Sequence, residues 1–306
     1  MRQLVLILVL AAAASHPAKA QNSGLAFLEI GVDAQGMALG DAGVADTSGP
    51  FAAERNPAGL AAGSGSAFGV SHHQWIADVA TYGLSGRFDA GRLGGLGIFV
   101  RATGSGDLDA RDRPGPASGT FEAQFVSAGI AVARTFGAVS VGASGKYLSE
   151  RIFGVSASGV GADLGAQVSL VRGSVRLGGA VLNLGSMEAL ADRPTELPTT
   201  ARVGAAVQPF RVLSFEDGAT LLDAVLTVEY SLNTVSEESR IHVGAAASVL
   251  ETVRLRAGYV TNDALRDFSV GIGLSTGAIT LDYALIPFEE GFGGPGHIFS
   301  VVYSGL

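Results

Sequence analysis

The sequence has no cysteine, which excludes a disulfide-stapled scaffold and leaves no thiol after the N-terminal export signal to carry a lipid anchor. Charge is scarce as well. Only 16% of the 306 residues are Asp, Glu, Lys or Arg, against about 25% in a typical soluble domain. The balance is acidic, 20 Lys+Arg against 28 Asp+Glu for a net charge of −8, and this excludes nucleic acid as a partner, which demands a basic face. Beyond the N-terminus no stretch approaches the roughly 18 consecutive apolar residues of a membrane helix. Yet 47% of the chain is hydrophobic and its mean hydropathy is +0.36, which excludes intrinsic disorder. An apolar chain without membrane helices fits a closed transmembrane β-barrel.

Residues 1–20 read as a secretory signal peptide. Arg2 is the positive start, Leu4 to Ala14 the apolar stretch, and Ala18-Lys19-Ala20 a small-x-small cleavage site before Gln21. Export without a stop-transfer helix, in so apolar a chain, points to an outer membrane. From about Ser66 onward, period-2 alternation recurs between turn residues. Ile241, Val243, Ala245, Ala247 and Val249 point one way, and Arg240, His242, Gly244, Ala246 and Ser248 the other. The same holds for Phe268 to Ser275 and Ile279 to Leu285. A soluble sandwich would carry a richly charged outer face. Here the second face is mostly Gly, Ala and Ser, which suits a narrow lumen behind a lipid-facing wall. On this reading Val243 faces lipid, and a charge is better tolerated at the lumen-facing His242.

The alternation marks fourteen strands, an even number as single-chain bacterial barrels require. Connections alternate between short turns and longer loops, the longest being Gly104–Gly119, Leu184–Thr199 and Ile286–Gly296. Phe210–Leu221 is long where a short turn is due, so a hidden pair there keeps twelve and sixteen strands open. With a periplasmic N-terminus, the long connections are extracellular. The organisation is thus a signal peptide over 1–20, a plug over 21–65 and a membrane barrel over 66–306.

The plug carries a motif, FLEIGVDAQGMALGDAGVADTSGPFAAERNPAGLA over Phe27 to Ala61. Gly36, Gly40 and Gly43 allow close backbone packing in a narrow lumen, and Asn56-Pro57-Ala58 is a turn that redirects the chain into the first strand. The segment reads as a compact fixed plug, with a movable hatch as the alternative. In its Phe27-Leu28 start, its glycine-rich middle and its Asn56-Pro57-Ala58-Gly59-Leu60-Ala61 end, it resembles the PorV/PorQ family, and more widely the FadL-like channels. The family pattern has an aromatic where this chain has Arg55. The resemblance implies a fourteen-stranded, all-β antiparallel barrel with an N-terminal plug. It also implies one of two functions. A PorV-like secretion accessory of type IX kind would hold exported proteins by their C-terminal signal domain and work with secretion-system subunits. A FadL-like channel would take up hydrophobic small molecules.

Other constellations carry little chemistry. His72 and His73 are adjacent on a strand and face opposite sides, so they do not chelate one ion. Asp107, Asp109 and Asp112 have oxygen-ligand spacing without the rest of a calcium loop. Gly159, Gly161 and Gly165 lack the spacing of a phosphate loop. No G-x-S-x-G elbow is present, and Ser300 near His297 has no supporting pattern. No enzyme, no metal and no cofactor is expected. The expected partners are outer-membrane lipid and, on the secretion reading, exported proteins. Phe288, Glu289, Glu290 and Phe292 are the candidate partner-binding loop, since aromatics in a Gly/Pro loop can anchor a partner and the carboxylates can steer a basic one. The alternative for the two Phe residues is packing over the barrel mouth.

Overall fold

The computed structural model describes residues 25–305 apart from 64, 112, 191–194, 215–219, 290 and 292. Strands dominate: β1 (Ala67–Gln74), β2 (Ala80–Asp89), β3 (Gly95–Gly104), the short β4 (Leu108–Ala110) and β5 (Gly119–Phe121), β6 (Ala123–Phe136), β7 (Val139–Ile152) and β8 (Val155–Leu170). They continue with β9 (Val175–Met187), β10 (Thr200–Ser214), β11 (Thr220–Asn233), β12 (Ser239–Val249), β13 (Val253–Val260), β14 (Phe268–Thr276), β15 (Ile279–Ile286) and β16 (Gly296–Ser304). Among the described residues, fourteen of these strands form one closed barrel, with β4 and β5 as a separate hairpin. Each pairs antiparallel with its sequence neighbour, and β1 closes on β16 from Ala67 opposite Ser304 to Gln74 opposite His297. Closure leaves no unpaired edge, which is the condition for crossing a lipid core with strands.

Fourteen is therefore the count. Among the described residues, the segment between Phe210 and Leu221 holds no further pair. Instead β10 runs on to Ser214 and β11 starts at Thr220, pairing across a bulge between Val207 and Phe210. Six connections at one end of the barrel are then short: 90–94, 137–138, 171–174, 215–219, 250–252 and 277–278. The other end carries 105–122, 188–199 and 287–295. The first of these contains the β4–β5 hairpin, paired from Leu108 opposite Phe121 to Ala110 opposite Gly119, where the sequence suggested only a loop.

The outer surface is an apolar band. Leu84, Ile98, Val100, Ile130, Val132, Leu226 and Val243 are all exposed, Ile130 at 70% and Val243 at 47%, as side chains facing lipid must be. The adjacent residues point inward, and Ser85, Phe99, Ala131, Thr227 and His242 among them are buried.

What fills the interior is the N-terminal segment. It threads the lumen from the long-loop end to the short-turn end before entering β1. Among its described residues two short α-helices form, α1 (Ala34–Ala38) and α2 (Ala52–Arg55), with 3-10 turns over Ala26–Glu29 and Pro57–Ala61. Asp33 caps α1, its Oδ2 accepting from Gly36 N at 2.9 Å. The apolar core is divided into small clusters along this path. Phe27 packs with Leu148 and Leu197, Met37 and Ala38 with Ala284, Ile286 and Ile298, Val44 with Ala180 and Leu182, and Leu60 with Phe99 and Ala131.

Candidate functional site

A segment with so little regular structure has many backbone groups to satisfy inside the barrel. The wall supplies the partners. Arg101 Nη1 donates to Phe27 O at 2.8 Å and Ile30 O at 2.9 Å. His73 Nε2 meets Val32 O at 2.7 Å, and His242 Nδ1 meets Gly40 O at 2.7 Å. Arg87 donates to the carbonyls of Leu60, Gly63 and Gly65. Ser300 Oγ accepts from Ala34 N at 2.8 Å. The sequence suggested a lumen wall of mainly Gly, Ala and Ser. The inner wall in fact carries Arg87, Arg101, Arg256, Glu229 and Asp282, all buried, and the partly buried Arg202, because an irregular plug needs long polar side chains to reach its backbone.

Two cavities approach each other through the barrel. The one at the long-loop end has a volume of about 230 Å³, and Leu28, Ile30, Glu54, Trp75, Arg101 and Arg240 are among its lining residues. The one at the short-turn end is about 250 Å³, with Asp33, Gly36, Gly43, Asp46, Arg254 and Asp282 in its lining. Arg55 borders both.

Arg55 is the centre of a buried ionic relay. Its Nη2 lies 3.0 Å from Asp33 Oδ1 and 3.2 Å from Asp41 Oδ1. Asp41 Oδ2 accepts from Arg202 Nη2 at 2.7 Å, and Arg202 Nε lies 2.6 Å from Glu229 Oε1. Glu229 Oε2 returns to the plug, accepting from Gly43 N at 2.9 Å and Val44 N at 2.8 Å. The relay thus fastens the plug to β10 and β11. Burial pushes the Asp41 carboxyl up, but the charges of Arg202 and then Arg55 outweigh it and hold Asp41 well below the usual carboxylate range. Burial pushes Arg55 down, and Asp33 followed by Asp41 outweigh that and hold it above its ordinary value. Removing one member of such a pair strands the other, at a cost of about 3–5 kcal/mol.

The sequence-predicted plug residues fall around this relay. A Cβ on Gly36 would stand 1.9 Å from Arg55 Nη2, and one on Gly43 would stand 2.3 Å from Arg55 Cδ. Gly40 has φ +67 and lies against the backbone of Tyr259, so both its conformation and its contact require glycine. Asn56 Nδ2 donates to Val44 O at 2.7 Å and to Ala166 O at 3.1 Å, while its Oδ1 accepts from Ala58 N at 3.1 Å. Pro57 starts the following 3-10 turn, seated on Gly142 of β7. Of the candidate partner-binding loop, Phe288 is half-buried and meets Trp75 edge-on with ring centroids 4.8 Å apart. Glu289 is exposed, and its backbone N donates to Leu265 O at 3.0 Å. Glu290 and Phe292 lie outside the described residues. His72 stacks on Tyr82 while His73 points inward. Asp109 pairs with Arg111 at 2.7 Å, and Asp112 lies outside the described residues.

The chain's sequence matches no protein-family profile and no curated protein. Solved structures do match. One is the TodX monoaromatic hydrocarbon channel, as a deltaS2 mutant, at a TM-score of 0.60 and 12% identity over 90% of this chain and 99% of that one. The fold is that of an outer-membrane β-barrel channel. Omp33 of Acinetobacter baumannii also matches, at a TM-score of 0.44 and 9% identity over 79% of this chain and 98% of that one. The KdgM porin does so at 0.38 and 8%, over 78% and 99%.

The relay residues escaped sequence reasoning. Arg55 stood out only as a departure from an aromatic position, and Arg202 and Glu229 had no local signal. The available hint was composition within the plug: one Arg, following the five acids Glu29, Asp33, Asp41, Asp46 and Glu54, in an otherwise mostly small and apolar segment. Such a charge inside a lumen needs a partner. Among the described residues, no group of three or more His, Asp and Glu side chains is placed to hold a metal ion.

Proposed function

We propose that this chain is a plugged outer-membrane channel that admits small solutes from its long-loop end. One observation carries the reading: two cavities enter the barrel from opposite ends and, among the described residues, share one lining residue, Arg55. A purely structural barrel needs neither vestibule. The likeness in fold to a hydrocarbon channel supports the architecture and leaves the solute to be argued from the lining. A cavity of about 230 Å³ lies below the roughly 300–1,000 Å³ of drug-sized pockets, so the solute is about the size of a single ring. Leu28, Ile30, Val32 and Trp75 offer an apolar side. Glu54 Oε1 is buried there with no hydrogen-bond partner among the described residues, which favours a solute with a donor or cationic group over a plain hydrocarbon. The test is flux of benzyltrimethylammonium into proteoliposomes, with choline, which lacks the ring, as comparison. Entry faster than into protein-free vesicles, and faster than choline, supports the reading. Entry no faster than into protein-free vesicles refutes it.

A second reading is a PorV-like secretion accessory that holds exported proteins by a C-terminal signal domain. It is favoured by the resemblance of residues 27–61 and by the exposed rim at the β4–β5 hairpin, where residues 113–120 are all exposed. Phe288 and Glu289 lie at the same end. Pull-down from native membranes separates the two readings: an exported protein retained by the wild type and lost from a Phe288→Ala variant supports the accessory.

A further inference from the structure

We propose that the Arg55 side chain is itself the gate, so that its withdrawal, with the plug backbone in place, joins the two cavities into a cation-preferring passage. The proposal rests on the channel reading above and adds the moving part and its charge selectivity.

Three observations carry it. Arg55 is the residue common to the linings of both cavities among the described residues. The space it occupies is enclosed by glycines: Gly31, Gly36 and Gly43 would each place a Cβ within 3.1 Å of an Arg55 atom. No side chain from those positions remains to fill the gap when the guanidinium leaves. Finally, Arg55 is fastened by one corner. Among the described residues, Nη2 makes both ionic contacts, at 3.0 Å to Asp33 and 3.2 Å to Asp41, whereas Nε is buried without a hydrogen-bond partner. The plug backbone is held quite differently. Gly43 N and Val44 N bond Glu229, Val44 O accepts from Asn56, and Gly40 O meets His242. Releasing two contacts of one nitrogen moves the side chain and leaves those bonds intact.

The charge left behind sets the selectivity. With Arg55 withdrawn, Asp33 and Asp41 border the gap, and among the described residues Arg202 is the cation bonded to Asp41 at 2.7 Å, shared with Glu229 behind it at 2.6 Å. Arg266, nearby, is paired with Asp263 at 3.2 Å. A narrow, low-dielectric passage lined by excess carboxylate concentrates cations.

Single-channel recording in planar lipid bilayers, under a potassium chloride gradient, tests this with full-length protein. Arg55→Ala is expected to conduct at least an order of magnitude more than wild type, with a reversal potential on the cation side. Gly36→Ala keeps every charge but places a methyl group where Arg55 Nη2 lies, and it should open the same path. If Arg55→Ala does not fold to a heat-modifiable barrel, Gly36→Ala decides. Asp33→Asn combined with Arg55→Ala should keep the conductance and weaken the cation preference. Folded Arg55→Ala and Gly36→Ala variants that conduct no more than wild type overturn the gate, and an open channel that prefers anions overturns the charge assignment. The channel reading stands or falls separately, on wild-type flux of benzyltrimethylammonium.

Discussion

Gly178 and Gly179 are neighbours in β9, and the same substitution at each should have opposite effects. Gly178 faces the plug, where an added Cβ would lie 2.2 Å from Val44 O and 2.6 Å from Ala45 Cα. That is more than 1 Å inside ordinary van der Waals contact, which starts near 3.4 Å. The plug backbone cannot easily retreat, because Val44 N donates to Glu229 at 2.8 Å and Val44 O accepts from Asn56 at 2.7 Å. Overpacking costs about 1–3 kcal/mol, and each hydrogen bond lost in relieving it adds about 0.5–1.5 kcal/mol. Gly178→Ala is therefore expected to destabilise the barrel by about 2–4 kcal/mol. Gly179 faces outward, and the nearest atom to its added Cβ is Arg202 O at 3.7 Å. Gly179→Ala should gain about 0.5–1 kcal/mol from reduced chain entropy in the unfolded state. Reversible urea unfolding in lipid vesicles measures both. Equal effects, or the reverse order, would mean that β9 is shifted by one residue and that the plug does not touch it there.

The remaining predictions concern faces, pH and binding. Val243→Arg should cost about 2–4 kcal/mol near the midplane, and the same unfolding assay shows it. The sequence suggested that His242→Arg would be cheap, but His242 is buried and bonds both Gly40 O and Ser231 Oγ. It too should therefore cost about 2 kcal/mol or more, and a neutral result would show the lumen to be looser than the relay implies. A carboxylate with a lowered value stabilises above its unfolded titration range and loses that only as pH falls through the folded value, while a cation with a raised value loses its contribution only on the alkaline side. Asp41 and Arg55, set among Asp33, Arg202, Glu229, His242 and Arg266, should accordingly hold wild-type bilayer conductance at one low, unchanging level from about pH 5 to pH 9; a rise with a midpoint near neutrality would contradict this. Trp75 is the one tryptophan of the chain and lines the long-loop cavity, so benzyltrimethylammonium should change its fluorescence saturably, and a flat titration would argue against binding there.

The barrel was legible because a lipid-facing wall imposes a rule on every second residue. Val243 and Gly244 differ in kind since one meets lipid and the other meets Leu39 of the plug. The fourteen strands marked by alternation correspond one to one with those that close the barrel, and the misjudged connection around Phe210 arose where the bulge after Val207 interrupts the alternation. Gly36, Gly40 and Gly43 were legible as close-packing positions, but what they pack against was not. Gly36 and Gly43 surround Arg55, which sits 19 and 12 positions away in the sequence. The relay partners Arg202 and Glu229 are farther still, joined to the plug only once the barrel has closed. Periodicity reports which face a side chain takes, and carries no information about which inward residue meets which part of the plug.

The central claim is that the plug separates an outward-facing cavity from an inward-facing one in a barrel spanning the outer membrane. The absence of cysteine allows single thiols to test it. Ala264→Cys lies at an exposed position of the loop 261–267 at the long-loop end, and Ser48→Cys lies exposed in the cavity at the short-turn end. Intact cells are treated with a polyethylene-glycol maleimide too large to pass porins. The account predicts labelling of Ala264→Cys in intact cells and of Ser48→Cys only after the outer membrane is permeabilised. Labelling of Ser48→Cys in intact cells, or protection of Ala264→Cys there, would contradict it.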